Sequence, residues 1–168
     1  MDIGEELKKG HTKNQTMRVV RYIGSDEKKF AALMEIFFKG EYRMRQRAAW
    51  PVSYCIKDHP ELIGPYLNKC INELPRKDAH SAIKRNVVRL LQYVEIPRKR
   101  AGKIYSHCLD LIDDIKEPIA VRVFAITVAT KIAKTEPALT RELQLVIKKH
   151  LPHTTVAFHK RSLDILSR

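Results

Sequence analysis

The chain has 168 residues, of which 32 are Lys or Arg and 19 are Asp or Glu, so its formal net charge is +13. With 44% hydrophobic and 30% charged residues, the composition is that of a folded domain and is neither that of a disordered chain nor that of a membrane protein. The sequence lacks the run of about 20 apolar residues that a membrane span needs, and no apolar segment follows its opening residues. We therefore expect neither a membrane helix nor a secretory signal.

Helical periodicity governs the chain from residue 14 onward. Residues 1–13 are polar and charged with two glycines, and we expect them to form a flexible start. A short helix is predicted over 14–23, ending at Gly24. In the next helix, apolar residues stand at positions 30, 33, 34, 37 and 38, the spacing of one helix face. No stretch alternates apolar and polar residues as a strand would, so an all-α fold is predicted.

The rest of the chain repeats one pattern of two helices. A basic residue recurs at positions 45, 84, 122 and 160, and the spacings between these positions are 39, 38 and 38. Small or apolar residues follow the first three at offsets of 3, 7 and 10, so these nine residues should be buried between helices. They are Ala48, Val52, Cys55, Val87, Leu91, Val94, Ala125, Ala129 and Ile132. Prolines mark the boundaries between helices, since proline disrupts a helix interior: Pro60, Pro75, Pro97, Pro118, Pro137 and Pro152.

The stretch from Pro118 to Ala129, with a proline, a Val-Arg pair and small residues, resembles the second helix of a HEAT repeat. The resemblance implies an α-α superhelix of about four HEAT-like helix pairs plus a short N-terminal helix, in a single domain over 14–168. The repeats run over about 26–58, 60–96, 97–135 and 137–168. The first helices of the repeats, the A helices, cover about 26–39, 60–74, 97–115 and 137–150. The second helices, the B helices, cover about 41–58, 80–96, 118–135 and 154–168.

Two features depart from this pattern. Pro51 falls inside the first B helix, which should therefore kink or restart there. HEAT repeats often carry an acidic residue six positions before the repeated basic residue, and here only Asp78 fills that position. The supply of acids for a ladder of ion pairs between B helices is accordingly thin.

The excess positive charge is concentrated in the B helices, which hold 13 basic residues against four acidic ones, whereas the A helices are close to neutral. The resemblance implies that B helices line the concave face, which predicts a basic surface for an acidic protein or a nucleic acid. The alternative is that one basic residue per repeat forms a structural ladder and the others are solvated surface charge. The candidate binding residues are Arg43, Arg47, Trp50, Lys84, Arg85, Arg89, Arg122, Lys160 and Arg161.

Trp50 is the only tryptophan, and it has two interpretations. It could stack on a base or anchor a partner, but a buried core tryptophan is the favoured reading. The cysteines Cys55, Cys70 and Cys108 are an odd number without close pairing, which favours a reducing, cytoplasmic setting. Phosphate-loop, nucleophile-elbow and zinc-ligand motifs are missing, so we predict no catalytic residue, no metal site and no small-molecule cofactor.

The sequence favours a non-enzymatic HEAT-like binding or scaffold protein in the cytoplasm, with a basic concave surface and no membrane partner. One alternative is a DNA-binding repair protein that resembles the HEAT-like alkylpurine DNA glycosylases, which need aromatic residues and an acid together. Trp50, Tyr54 and Asp58 are spaced i, i+4, i+8, which places them on one helix face if Pro51 permits a continuous helix. The other alternative is an assembly scaffold that binds no anion, which would bury Trp50 and expose an apolar patch instead.

Overall fold

The computed structural model describes residues 1–79 and 81–167, and all regular structure in these residues is helical. The predicted ends at residues 80 and 168 lie outside the described residues. The chain is 78% helix, which confirms the all-α class predicted from the periodicity. The α-helices are α1 (Ile3–Lys8), α2 (Lys13–Ile23), α3 (Glu27–Lys39), α4 (Tyr42–Asp58), α5 (Leu67–Glu73), α6 (Ser81–Leu90), α7 (Arg98–Asp113), α8 (Ile119–Ala133), α9 (Pro137–His150) and α10 (Val156–Leu166).

Prolines begin several of the helices, as the sequence predicts. Pro97 and Pro118 are the N-cap residues of α7 and α8, and Pro137 is the first residue of α9. Proline suits these positions because the first amides of a helix have no partner within it. Gly24 closes α2 with a φ of +52°, a conformation that favours glycine.

The chain divides into two compact units, Met1–Val94 and Glu95–Arg168. The single domain over 14–168 stays a prediction. In the first unit, α4 is central, because α2, α3 and α6 all pack against it. Its interior face is filled by small and medium side chains, and Ala48, Val52 and Cys55 are fully buried. In the second unit, α7, α9 and α10 pack against α8.

The expectation of a flexible start over residues 1–13 is wrong. The Asp2 carboxylate accepts a hydrogen bond of 2.8 Å from the Glu5 amide and caps α1, and Ile3 and Leu7 are buried. These two residues are spaced i, i+4, so a single helical turn presents both to the unit's interior. The segment is ordered by this burial and by Arg47 of α4, which donates hydrogen bonds to the carbonyl oxygens of Leu7 and Lys8.

The helix pairs depart from the predicted pattern at two prolines. Helix α4 continues as one α-helix through Pro51, so it does not restart there. The A helix expected over 60–74 is divided, with a 3-10 helix over Pro60–Tyr66 followed by α5. Pro65 lies inside this 3-10 segment and lacks the amide hydrogen that a continuous α-helix would use.

The predicted core is confirmed at eight of its nine positions, each of which is buried. The exception is Ile132 in α8, which is only half-buried. The next residue, Ala133, is fully buried and occupies the interior position at the end of that helix. No helix within residues 1–79 and 81–167 has both the length and the apolar character needed to cross a bilayer.

A polar contact joins α7 to α9 in the second unit. The Asp113 carboxylate, at the last residue of α7, accepts a 2.7 Å hydrogen bond from Lys149 Nζ and lies 2.8 Å from His150 Nε2. These neighbours lower the pKa of Asp113, chiefly through the hydrogen bond from Lys149 and then through the one with His150. The ion pair therefore contributes stability only while Asp113 is ionised.

Candidate anion-binding site

Arginines and aromatic rings converge on one surface of the first unit. They come from α4, from α6 and from the segment between α1 and α2. We call them the arginine–aromatic cluster: His11, Arg47, Trp50, Tyr54, Arg85 and Arg89.

Helix geometry brings these residues together. Arg47, Trp50 and Tyr54 are spaced i, i+3, i+7 and share one face of α4, because the helix is unbroken at Pro51. Arg85 and Arg89 are one turn apart on α6, which packs directly against α4. Buried Val87 and Val88 hold α6 in place, so the two arginines project from the half-exposed side of that helix.

The aromatic rings of the cluster remain partly accessible. Trp50 is half-buried and not a core residue, which corrects the favoured reading of the sequence. Ala48, Ala49 and Val52 take the interior positions around it, so the large indole lies at the edge of the buried face of α4. Its ring centroid is 5.3 Å from that of His11 and 6.2 Å from that of Tyr54, with the planes tilted by 53° and 46°.

Arg89 is held over the face of Tyr54, with its guanidinium carbon 4.4 Å from the ring centroid. A cation in this position is attracted by the ring's quadrupole. The adjacent Arg89 guanidinium is the main reason why the pKa of the Tyr54 phenol lies below its usual range. The charge of Lys13 contributes in the same direction.

The cluster has a positive local potential. Partial desolvation lowers the pKa of His11, and the charges of Arg47 and Arg85 lower it further. No carboxylate of residues 1–79 or 81–167 forms an ion pair with Arg47, Arg85 or Arg89. The positive charge of these three arginines is therefore not neutralised within the part of the chain that the structure describes.

Within the cluster, Arg47 combines its charge with the hydrogen bonds it donates to the end of α1. Two arginines outside the cluster have a structural role. Arg45 Nε donates to the Phe37 carbonyl at 3.0 Å, and Arg122 Nε donates to the Ile112 carbonyl at 2.9 Å. Each acceptor lies in the last turn of the A helix that precedes the arginine, where carbonyl groups lack helical partners and a cation is favourable. We call this repeated contact the arginine clamp.

Arg45 also connects two repeats, because its Nη2 atom lies 2.9 Å from the Glu73 carboxylate at the end of α5. Arg76 reaches the other oxygen of Glu73 at 3.1 Å. The acid that serves this arginine is therefore Glu73, and Asp78 pairs with Arg76 instead. The ladder interpretation gains support at Arg45, although with an acid that the sequence pattern did not identify.

Two predicted binding residues are placed inside the molecule. Arg122 is only 7% exposed, its guanidinium lies 4.9 Å from the Phe158 ring centroid, and burial lowers its pKa. Lys84 is only 9% exposed, because it lies on the buried side of α6 beside Ile83. Neither side chain offers its charge to a surface partner, since the repeated basic position lies on the interior face of both α6 and α8.

The remaining predicted residues are exposed but lie outside the cluster. Arg43 is exposed in the first turn of α4, and Lys160 is exposed on α10. Arg161 donates a 2.7 Å hydrogen bond to Thr127 Oγ1 and lines a polar cleft of about 290 Å³ in the second unit. The cleft is formed by Thr127, Thr130, Lys131, Lys134, Arg161 and Asp164.

The structure thus brings together four residues of the predicted set, Arg47, Trp50, Arg85 and Arg89. It adds two residues to them, His11 and Tyr54. His11 was missed because it lies in the segment expected to be flexible, and no sequence period connects it to Trp50. The helical spacing in the sequence connects Tyr54 only with Trp50 and Asp58. The Asp58 side chain is exposed at the last residue of α4 and makes no hydrogen bond or ion pair with the other described residues.

Comparison with known protein families adds one finding. The model of the HEAT repeat domain family matches residues 3–164 of this chain. No curated protein and no solved structure matches it significantly. The match includes α1 and α2, so the family's pattern begins before the first repeat that the sequence period indicated.

Proposed function

Because the chain belongs to the HEAT repeat family, whose helical repeats serve as scaffolds and binding surfaces, we propose that it binds an anionic macromolecule through the arginine–aromatic cluster. The observation that carries the proposal is the convergence of Arg47, Arg85 and Arg89 from two packed helices without a carboxylate partner among the described residues. The partner is an acidic protein or a nucleic acid, both of which would neutralise this charge.

The placement of the two structural arginines supports this division of roles. Arg45 and Arg122 are engaged by carbonyl groups within their own repeats, whereas Arg85 and Arg89 project from the half-exposed side of α6. A net charge of +13 would also accelerate encounter with an anionic partner at low ionic strength.

We assign no catalytic step to this surface. Burial raises the pKa of each cysteine thiol to about 12, so the three thiols are protonated and inaccessible at neutral pH. Asp58 is the acidic residue that a DNA glycosylase-like site would use. It is exposed at the end of α4 and forms no hydrogen bond or ion pair with Arg47 or Arg89. Buried, unpaired thiols also agree with a reducing compartment, so we place the protein in the cytoplasm.

Binding measured against salt concentration tests the proposal. The probes are a fluorescein-labelled 20-nucleotide single strand, a 20-base-pair duplex and polyglutamate, each titrated by anisotropy at several salt concentrations. Three arginine–phosphate contacts predict a slope of log affinity against log salt of about −2 for the single strand and about −3 for the duplex.

The decisive variant is Arg85→Glu/Arg89→Glu, compared with Lys28→Glu/Lys148→Glu as a control. Both double variants change the net charge equally, and Lys28 and Lys148 are exposed on A helices. The cluster variant should lose most of its affinity and reduce the salt slope, while the control keeps both. Equal losses in two variants whose circular dichroism is unchanged would refute a defined site and indicate diffuse attraction.

A further inference from the structure

Resting on the proposed function, we propose that the arginine–aromatic cluster binds single-stranded nucleic acid, with an unpaired base stacked on Trp50 and the backbone phosphates held by the surrounding arginines. Planar rings and uncompensated guanidinium groups lie together on one surface, and this combination points to the ligand. An acidic protein segment would need only the charge, whereas a nucleotide uses both the charge and the rings.

The rings have free area for such a contact. Trp50 and Tyr54 are half-buried, His11 is exposed, and the tilts of 53° and 46° leave no ring covered by a parallel neighbour within the cluster. One face of Tyr54 is already covered by Arg89, whereas the Trp50 indole has no cation of the described residues over it and remains partly accessible. Base stacking on aromatic side chains needs this combination of a fixed ring and an accessible face.

Arg85 and Arg89 are placed to hold phosphates near that ring, and Arg47, which also donates to the carbonyl oxygens of Leu7 and Lys8, adds its charge there. Arg47 is on the same helix as Trp50, three residues before it, and Arg85 and Arg89 approach from α6. The influence of Arg47 and Arg85 on the pKa of His11 shows that both charges are felt at the ring that touches Trp50. A strand crossing this surface would meet positive charge from both helices while its base meets the indole.

The geometry favours a single strand over a duplex. In a duplex the faces of the bases are covered by their neighbours, so the rings of the cluster could contribute only after unstacking. In a single strand the base faces are available, and aromatic contacts with them tolerate any sequence. The expected specificity is therefore for unpaired strands, with little dependence on sequence.

The sole tryptophan makes this inference directly measurable. Trp50 fluorescence is recorded while the protein is titrated with a 15-nucleotide oligo(dT) strand and with a strand of the same length and charge that lacks bases. We expect quenching and about tenfold tighter binding with the base-bearing strand than with the abasic one, because one stacked base is lost. Oligo(U) should behave as oligo(dT), and a duplex of equal length should bind more weakly at matched salt.

Substitutions separate stacking from charge. Trp50→Ala should weaken oligo(dT) binding about tenfold and leave abasic-strand binding and the salt slope unchanged, whereas Trp50→Phe should keep most of the affinity. Tyr42→Ala removes another aromatic ring from α4, one that is exposed in the first turn and outside the cluster, and should change nothing.

The outcomes distinguish this inference from the proposed function. Equal affinity for the base-bearing and abasic strands would overturn stacking while leaving the anion-binding function intact, and this comparison needs no variant. Tight binding of polyglutamate without binding of either strand would also overturn it and identify an acidic protein as the partner. Loss of all binding by the folded wild-type protein at low salt would overturn both.

Discussion

Replacing Arg45 with alanine should destabilise the first unit far more than any other single change at an exposed or half-exposed arginine. The substitution removes the arginine clamp to Phe37 and the 2.9 Å contact with Glu73, whose side chain is only 9% exposed. Glu73 would remain in the interior with one partner, Arg76. An ion that loses its partner in such a site keeps its desolvation cost without the compensating attraction.

The size of the effect follows from these contacts. Breaking a buried pair costs about 3–5 kcal/mol, and the surviving contact of Glu73 with Arg76 places this site at the lower end. The lost hydrogen bond to Phe37 leaves a helix-terminal carbonyl that water can partly satisfy, which adds about 1 kcal/mol. We therefore expect a loss of about 4 kcal/mol in the free energy of unfolding.

Urea unfolding followed by Trp50 fluorescence is the assay, because the only tryptophan lies in the same unit as Arg45. Arg43→Ala is the matched control, since Arg43 is exposed two positions earlier on α4 and should change stability by less than about 0.5 kcal/mol. Adding Glu73→Gln to Arg45→Ala should recover part of the loss, because the unpaired carboxylate is removed. A loss for Arg45→Ala no larger than that of the control would refute the clamp as a stabilising contact.

Three further predictions concern burial and charge in the rest of the chain. In a urea titration, Leu91→Ala should lower the free energy of unfolding by about 2–5 kcal/mol and Ile132→Ala should lower it clearly less. The reason is that Leu91 is fully buried and Ile132 is only half-buried. Equal losses would mean that the helix register is misplaced. Iodoacetamide at pH 7.5 should modify no thiol in the native protein and all three after denaturation, as measured by mass spectrometry. The reason is that each thiol is buried and its pKa is raised to about 12. Rapid labelling of the native protein would contradict this burial. The pKa of Asp113 is lowered in the folded state, so its ion pair with Lys149 stabilises the protein when the pH is above the ordinary pKa of 3.8, and this stability is lost as the pH falls below that value. The contribution of this exposed pair is about 1 kcal/mol or less. Thermal unfolding of Asp113→Asn between pH 5 and about 2 should lack the corresponding part of the acid dependence.

The sequence was informative about the fold because burial imposes a period on it. Val87, Leu91 and Val94 were identified as interior residues from their offsets to a repeated basic position, and all three are buried. The period could not identify α1, which is shorter than a repeat and is fixed by its burial and by hydrogen bonds from Arg47. It also failed at Ile132, where the terminal turn of α8 buries its neighbour Ala133 instead.

The sequence was less informative about the site, because residue type does not tell a surface arginine from a buried one. Arg122 and Arg89 are both basic residues in B helices, yet one meets a carbonyl of its own repeat and the other meets a tyrosine ring. The acceptor of Arg122 is a backbone atom, which leaves no signature in the side-chain sequence. His11 joined the cluster for a similar reason, since only the packing of the first two helices brings it against Trp50.

The arginine clamp has a consequence for how such a chain can grow. Both the donor and the acceptor of each clamp come from one repeat, as with Arg45 and Phe37 or Arg122 and Ile112. A gene duplication that copies one segment of about 38 residues, the spacing of the repeated basic residue, therefore copies a helix pair already closed by its own contact. A chain with more repeats then requires new complementary surfaces only where one helix pair packs against the next. The internal geometry of each helix pair is inherited unchanged.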